Sequence, residues 1–201
     1  MKNKIKNVFS FSGVAVLAAL LVNASASAAT YVVDAAHSSV NFKVRHLVAK
    51  TTGKFDTFDG TIEYVPGKPD VWSVQATAEA ASINTAEAKR DEHLRGEDFF
   101  NVKKFPKLTF KSKKVADFKN GKGKLIGDLT IHGVTKTVTF DLELGGEGVD
   151  PWGNTKVGFT AITKISRKEF GLTWNKTLET GSLLVGDDVE IALEIEANLK
   201  K

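Results

Sequence analysis

The densest cluster of chemically capable side chains lies between Asn84 and Pro106, where Arg90, Asp91 and His93 fall within one helical turn. A histidine beside a carboxylate and a guanidinium is the equipment of general acid–base catalysis. The spacing around them points elsewhere. Asn84 can cap a helix, Glu87 stands where a capping-box carboxylate reaches back, and Gly96 suits a left-handed residue just past the end. Asp91 with Arg95, and Glu87 with Arg90, have the spacing of surface ion pairs worth about 0.3 kcal/mol each. The inward stripe holds only Ala86, Arg90 and Leu94, and one large apolar residue cannot hold a helix down. Docking must come from Leu94 with Phe99 and Phe100. The segment therefore predicts a short helix laid over the end of a larger body, its charges in water. Any role beyond closure would be gating.

No other constellation is better placed for chemistry. The histidines His37, His46, His93 and His132 show no ligand spacing on any one element, so no metal site is expected. Asp34, His37 and Ser38 suggest hydrolysis by type, yet no nucleophile turn or oxyanion glycine pattern accompanies them, and a strand start is expected there. Asp150-Pro151-Trp152-Gly153 lacks a phosphate-cradling arrangement and reads as a loop with a packing tryptophan. The chain has no cysteine, which excludes disulfides, thiolate metal sites and a lipidated cysteine. These residues predict no catalytic residue, no metal and no cofactor, and so no enzyme.

The elements that would position any site begin after residue 28. Lys2, Lys4 and Lys6 precede an apolar run from Val8 to Val22, followed by Ala24, Ala26 and Ala28, the pattern of a secretory signal cleaved after Ala28. The run is too short for a transmembrane anchor, which needs about 18 apolar residues. Periplasmic or secreted localisation is expected for the remaining domain, residues 29–201. Losing three lysines lowers the formal net charge from +4 to +1, and no basic block interleaved with aromatics remains, so nucleic acid is not an expected partner.

Within 29–201 the dominant period is two, the signature of half-buried strands. Val40, Phe42 and Val44 alternate with polar neighbours, as do Trp72, Val74, Ala76 and Ala78, then Val138, Phe140, Leu142 and Leu144, and finally Val189, Ile191, Leu193, Ile195 and Ala197. Asn120-Gly121 and His132-Gly133 supply tight reversals. About eight such strands without repeat or composition shift predict one all-β antiparallel domain with one short helical insert. A sandwich also satisfies the pattern, but long hairpin-connected strands favour an eight-stranded β-barrel, because closure removes exposed edges.

Several motifs, in the right order along the whole domain, resemble the YceI family. They are Asp34-x-x-His37-Ser38 with Phe42-x-Val44-Arg45-His46-Leu47, Arg90-Asp91-x-His93-Leu94-Arg95-x-x-Asp98-Phe99-Phe100, and Phe105-Pro106-x-x-x-Phe110. Gly127-x-Leu129-Thr130-Ile131-His132-Gly133-Val134-Thr135-Lys136, Asp150-Pro151-x-Gly153 with Gly158-Phe159, and Arg167-x-x-Phe170-Gly171 complete the resemblance. Many relatives carry proline after the threonine-lysine pair, where this chain has Thr137. The resemblance implies a lipocalin-like barrel, exported, often a homodimer, that holds a long isoprenoid, quinone-like or other lipid chain in an apolar channel for transport, storage or a stress response.

On that reading the channel is lined by Phe42, Val44, Phe58, Val74, Leu94, Phe99, Phe110, Ile131, Phe140, Phe159, Ile191 and Leu193, with Arg90 and His93 as head-group contacts. Small residues on inward faces, Ala76, Ala78 and Ala161, would leave room. Two rivals are a non-catalytic, stress-related interaction module with a fully packed barrel, and an enzyme on a hydrophobic substrate using Arg90, Asp91 and His93.

Overall fold

In a computed structural model of the chain, residues 28–201 are described, apart from 178, 180 and 182. The expected signal segment lies outside the described residues except for its last position, Ala28, which is exposed. The strands are β1 (Ala29–Val33), β2 (Ser39–His46), β3 (Ala49–Phe55), β4 (Phe58–Tyr64), β5 (Ser73–Glu79), β6 (Ile83–Asn84), β7 (Lys107–Lys119), β8 (Lys122–Ile131), β9 (Val134–Val149), β10 (Thr155–Ser166) and β11 (Val185–Leu199). One α-helix, α1 (Ala88–Arg95), interrupts them.

Eight of these strands close into the expected antiparallel barrel, in the order β1-β4-β5-β7-β8-β9-β10-β11 and back to β1. Closure depends on β11 changing partners along its length. Its first part, up to Glu194, pairs with β2, and its end pairs with β1 through Ala197, Asn198 and Leu199. The turn between β1 and β2 sits at the changeover. There the Asp34 amide donates to the Glu196 carbonyl at 2.8 Å, and the Ser38 hydroxyl both donates to that carbonyl and accepts from the Glu196 amide. The expected strand start at Asp34 to Ser38 is instead this corner, a short 3-10 turn over Ala35–His37, with β2 beginning at Ser39.

The two reversals read from sequence form as the type requires. Asn120 and Gly121 have φ of 52° and 78°, and His132 and Gly133 have φ of 52° and 75°, the left-handed pairs of two-residue hairpins. Thr137 fits the second hairpin, its hydroxyl donating to Asp128 at 2.7 Å.

α1 differs from its sequence reading in how it is capped and pinned. Its N-cap is Glu87, whose carboxylate accepts from the Lys89 amide at 3.2 Å and the Arg90 amide at 2.6 Å. Asn84 lies upstream, accepting from the Ala86 amide and donating to Asp56. Gly96 is extended, with φ −71° and ψ 178°, so no left-handed cap ends the helix. The expected surface pairs do not form. Asp91 is buried and accepts from the Thr85 amide and hydroxyl at 2.8 and 2.5 Å, while Arg95 donates to the carbonyls of Ala81 and Ile83, both at 2.7 Å. Groups buried from water need partners, and the backbone before the helix had unsatisfied ones to offer. Leu94 and Phe100 then pack beside Phe55 and Ile83, the anchoring expected of them.

Two further readings need correction. Trp152 is 82% exposed and packs against nothing, the turn being held instead by Asp150 accepting from the Trp152 and Asn154 amides. β3 carries too weak a period-two signal to be read in advance, because Lys50, Thr51, Thr52 and Lys54 place no large apolar side chain before Phe55.

Candidate functional site: an apolar cavity with an ionisable rim

At one end of the barrel, aromatic rings fill the interior. Tyr64 stands 4.8 Å from Trp72 between ring centroids, Trp72 stands 4.8 Å from Phe118 and 5.8 Å from Phe159, and Tyr31 meets Tyr64 edge-on at 5.8 Å. The polar handles of Trp72 and Tyr64 are satisfied, as burial requires. The Trp72 indole donates to the Val65 carbonyl at 2.7 Å, and the Tyr64 hydroxyl donates to Glu147 at 2.5 Å. Burial first, then the Glu147 carboxylate, pushes the Tyr64 phenol far above its ordinary range.

Beyond these rings the interior is open. A cavity of about 470 Å³ runs toward the α1 end, well inside the range of small-molecule sites, about 300–1,000 Å³. The structure places Phe42, Val44, Phe58, Val74, Leu94, Phe99, Phe110, Ile131, Phe140, Phe159, Ile191 and Leu193 on its wall. Ala76, Ala78 and Ala161 also line it, so small inward residues leave space where the sequence suggested. Two glycines seat the bulkiest liners. A Cβ on Gly53 would meet the Phe42 ring at 2.3 Å, and one on Gly127 would meet the Phe110 ring at 2.5 Å. Each ring thus reaches over a glycine of a neighbouring strand, where any Cβ would displace it.

The ionisable lining groups, His46, Asp59, Arg90, His93 and Arg167, gather toward the α1 end. Arg90 donates from Nε to the Thr85 hydroxyl at 2.7 Å and from Nη2 to the Thr85 carbonyl at 2.9 Å, so Thr85 fixes both Arg90 and Asp91. His93 contacts Asp98 at 3.0 Å from Nε2, and its ring meets Phe99 at 5.0 Å and Trp174 at 4.9 Å. Phe99 and Trp174 close the trio at 5.1 Å. Arg90 and His93 thus sit on the cavity rim, and Asp91 is committed to Thr85 rather than to either of them.

Sequence reasoning missed Arg167, Thr85 and Trp174 as rim residues. Arg167 is 4% exposed and donates to the carbonyls of Gly186, Leu172 and Trp174, while its Nη2 has no acceptor among the described residues. Burial lowers its pKa, with Asp187 opposing. The only sequence signal was the Arg167-x-x-Phe170-Gly171 motif, whose Gly171 takes the left-handed φ of 79° that ends the turn. Arg167 organises the irregular stretch that β-strand periodicity could not describe.

A second polar cluster lies on the barrel's outer surface. Asp34, His37 and Glu196 bring three potential ligand atoms within 4.8 Å of one another. Lys156 already pairs with two of them, 3.1 Å from Asp34 and 2.6 Å from Glu196. The cluster pins the corner where β11 changes partners. The His37 imidazole holds the Asp34 carboxyl well below the usual carboxylate range, with Lys156, the Ala36 amide and Asn198 adding to it against burial.

Comparison with known proteins places this geometry. Residues 31–197 match the model of the YceI-like domain. A UPF0312 protein of Shewanella sp. (strain W3-18-1) is 44% identical over 156 residues, covering 76% of this chain and 82% of its own. Among solved structures, the Campylobacter jejuni YceI protein is 37% identical with a TM-score of 0.68, over 79% of this chain and 91% of its own. Burkholderia cenocepacia BcnA is 27% identical with a TM-score of 0.73, over 82% and 98%. A polyisoprenoid binding domain from Saccharophagus degradans, 17% identical with a TM-score of 0.62 over 86% and 99%, shares the fold.

Proposed function

The chain belongs to the YceI-like domain family, and on that premise we propose that its barrel binds a long-chain lipid, of isoprenoid or quinone type, without transforming it. The observation that carries this reading is the unfilled apolar cavity, in a fold that otherwise packs its interior with aromatic rings. The fully packed interaction module is disfavoured by that same space. The solved Saccharophagus degradans domain is described as polyisoprenoid binding, which gives the ligand class proposed here.

The energetics need no catalytic or strongly charged site. Each buried CH₂ contributes about 0.8 kcal/mol, so roughly fifteen chain carbons supply on the order of 12 kcal/mol. Association costs of about 4 kcal/mol leave micromolar binding or tighter. The chain lies along Phe42, Phe110, Phe140 and Ile191, and the head group rests at the rim near Arg90 and His93. The protein acts outside the cytoplasm as a homodimer after loss of residues 1–28. Among the described residues no helix is long and apolar enough to cross a membrane.

Organic extraction of protein purified from its native compartment, followed by mass spectrometry, tests this reading. A stoichiometric long-chain lipid is expected. Lipid-free protein that takes up no added geranylgeraniol would refute it. N-terminal sequencing of the same material should begin at Ala29, and its mass by light scattering should be that of a dimer.

A further inference from the structure

The turn between β2 and β3 presents apolar side chains that neither the core nor the cavity wall uses. Leu47 is 42% exposed and Val48 is 103% exposed, and Leu183 beside them is 38% exposed. These are one patch, because the Leu47 amide donates to the Leu184 carbonyl at 2.9 Å. Leu47 also holds a left-handed φ of 53°, disfavoured for its type, and the Arg45 guanidinium donates to its carbonyl at 3.0 Å. Single exposed apolar residues need no explanation, but a cluster at the edge of an opening does. His46, Leu184 and Val185, next to this patch in the chain, line the cavity. The patch therefore adjoins the cavity mouth, where the apolar Leu184 and Val185 stand among the ionisable rim groups.

The hairpin bearing the tip is basic. Between Ser39 and Phe55 it carries Lys43, Arg45, Lys50 and Lys54 and no acid. Lys50 and Lys54 pair with Glu190 and Asp56, whereas Lys43 and Arg45 enter no ion pair among the described residues. Other acids at this end include Asp187, which accepts from the Lys168 amide, Asp188, paired with Lys164, Glu190, which stands opposite Lys43, and the exposed Glu92, Glu97, Asp98, Glu169 and Glu179 of neighbouring segments. The opposite end of the barrel offers an instructive contrast. Its exposed Val149 and Trp152 stand beside Glu147 and Asp150, with no basic residue between Gly145 and Gly153, and none of these residues lines the cavity.

We propose that the β2–β3 tip, with Leu183, is where this protein docks on a bilayer containing anionic lipids. The apolar tip enters the interface and the basic strands lie over the head groups. The inference rests on the lipid-binding reading above and adds the route. A water-insoluble chain then passes from bilayer to cavity through that mouth, over Leu184 and Val185.

The absence of cysteine makes the test direct. Val48→Cys and, at the far end, Trp152→Cys each accept one environment-sensitive fluorophore. With vesicles of phosphatidylethanolamine and phosphatidylglycerol, the label at position 48 should shift to the blue and that at 152 should not. Val48→Glu, at a fully exposed position, should lower vesicle partitioning about tenfold while leaving uptake of dissolved farnesol unchanged. Lys43→Glu should lower partitioning by about fivefold, and replacing phosphatidylglycerol by phosphatidylcholine should weaken it further. An unmoved label at 48 in a protein that still binds farnesol overturns the docking surface and leaves the lipid reading standing. Failure to bind either vesicles or farnesol overturns both. A shift at 48 that grows with protein concentration in the absence of vesicles assigns the tip to a second copy of the chain and overturns the proposal.

Discussion

The two ends of this barrel meet the same demand, covering an apolar interior, with different materials. At the end around Tyr64 and Trp72, rings from several elements pack edge-on or tilted, and the Tyr64 hydroxyl and Trp72 indole each have a hydrogen-bond partner. At the other end the cover is α1 and the stretch that follows it, attached through Leu94 and Phe100 and through hydrogen bonds centred on Thr85. The first arrangement is part of the sheet and opens only if the barrel does. The second is held by side-chain packing and hydrogen bonds, and it contributes no strand to the barrel ladder. One end is covered by the sheet's own side chains and the other by an insert.

Substitutions that break this division should differ in kind as well as size. Phe140, 3% exposed on the wall between the two ends, tolerates no charge. Phe140→Asp should cost more than about 4 kcal/mol and abolish the cooperative urea transition followed by circular dichroism. Trp72→Ala, at the sealed end, should cost about 3–5 kcal/mol in the same measurement. Ile191→Trp should cost about 1–3 kcal/mol through overpacking but remove lipid loading altogether, since the added ring projects from the wall and blocks the channel. Equal loading in a folded Ile191→Trp protein would assign the ligand to another face.

The helix end should show the reverse pattern. Asp91→Ala leaves the buried Thr85 amide without its acceptor, at a cost of about 1–3 kcal/mol. It should accelerate exchange of bound lipid between barrels measured by fluorescence transfer. The smallest effect is expected at the outer corner. Asp34 has its folded-state pKa depressed, chiefly by His37, so its contribution is present above its unfolded pKa of about 3.9 and is lost as the pH falls below that. Asp34→Asn should flatten the acid limb of the stability curve. Lys156, raised chiefly by Glu196, contributes in the opposite sense, losing its stabilisation only as the pH climbs past about 10.4.

Much of this architecture was legible because strands announce themselves by alternation. Val40, Phe42 and Val44 point inward for the same reason that Lys43 and Arg45 do not, and Asn120-Gly121 and His132-Gly133 dictate their turns through backbone conformation alone. The lining residues named from alternation all lie on the cavity wall, since period two fixes the face once the sheet closes. What alternation could not reveal was long-range polar pairing. Asp91 and Arg95 look like a surface pair by spacing, but Thr85 and the carbonyls of Ala81 and Ile83 come close only after β6 joins β3. Arg167 was hidden for a similar reason: its carbonyl partners lie on an irregular stretch that no periodicity describes. β3 escaped notice because its cavity-facing positions include Thr51 and Gly53, the latter kept small by the Phe42 ring.

Native mass spectrometry of the wild type beside Ile191→Trp, each incubated with geranylgeraniol, tests the central claim most directly. The wild type should carry one lipid per chain, retained at collision energies that strip detergent, and folded Ile191→Trp should carry none. Bare wild-type protein, or equal occupancy of the two, would contradict a lipid held inside the barrel.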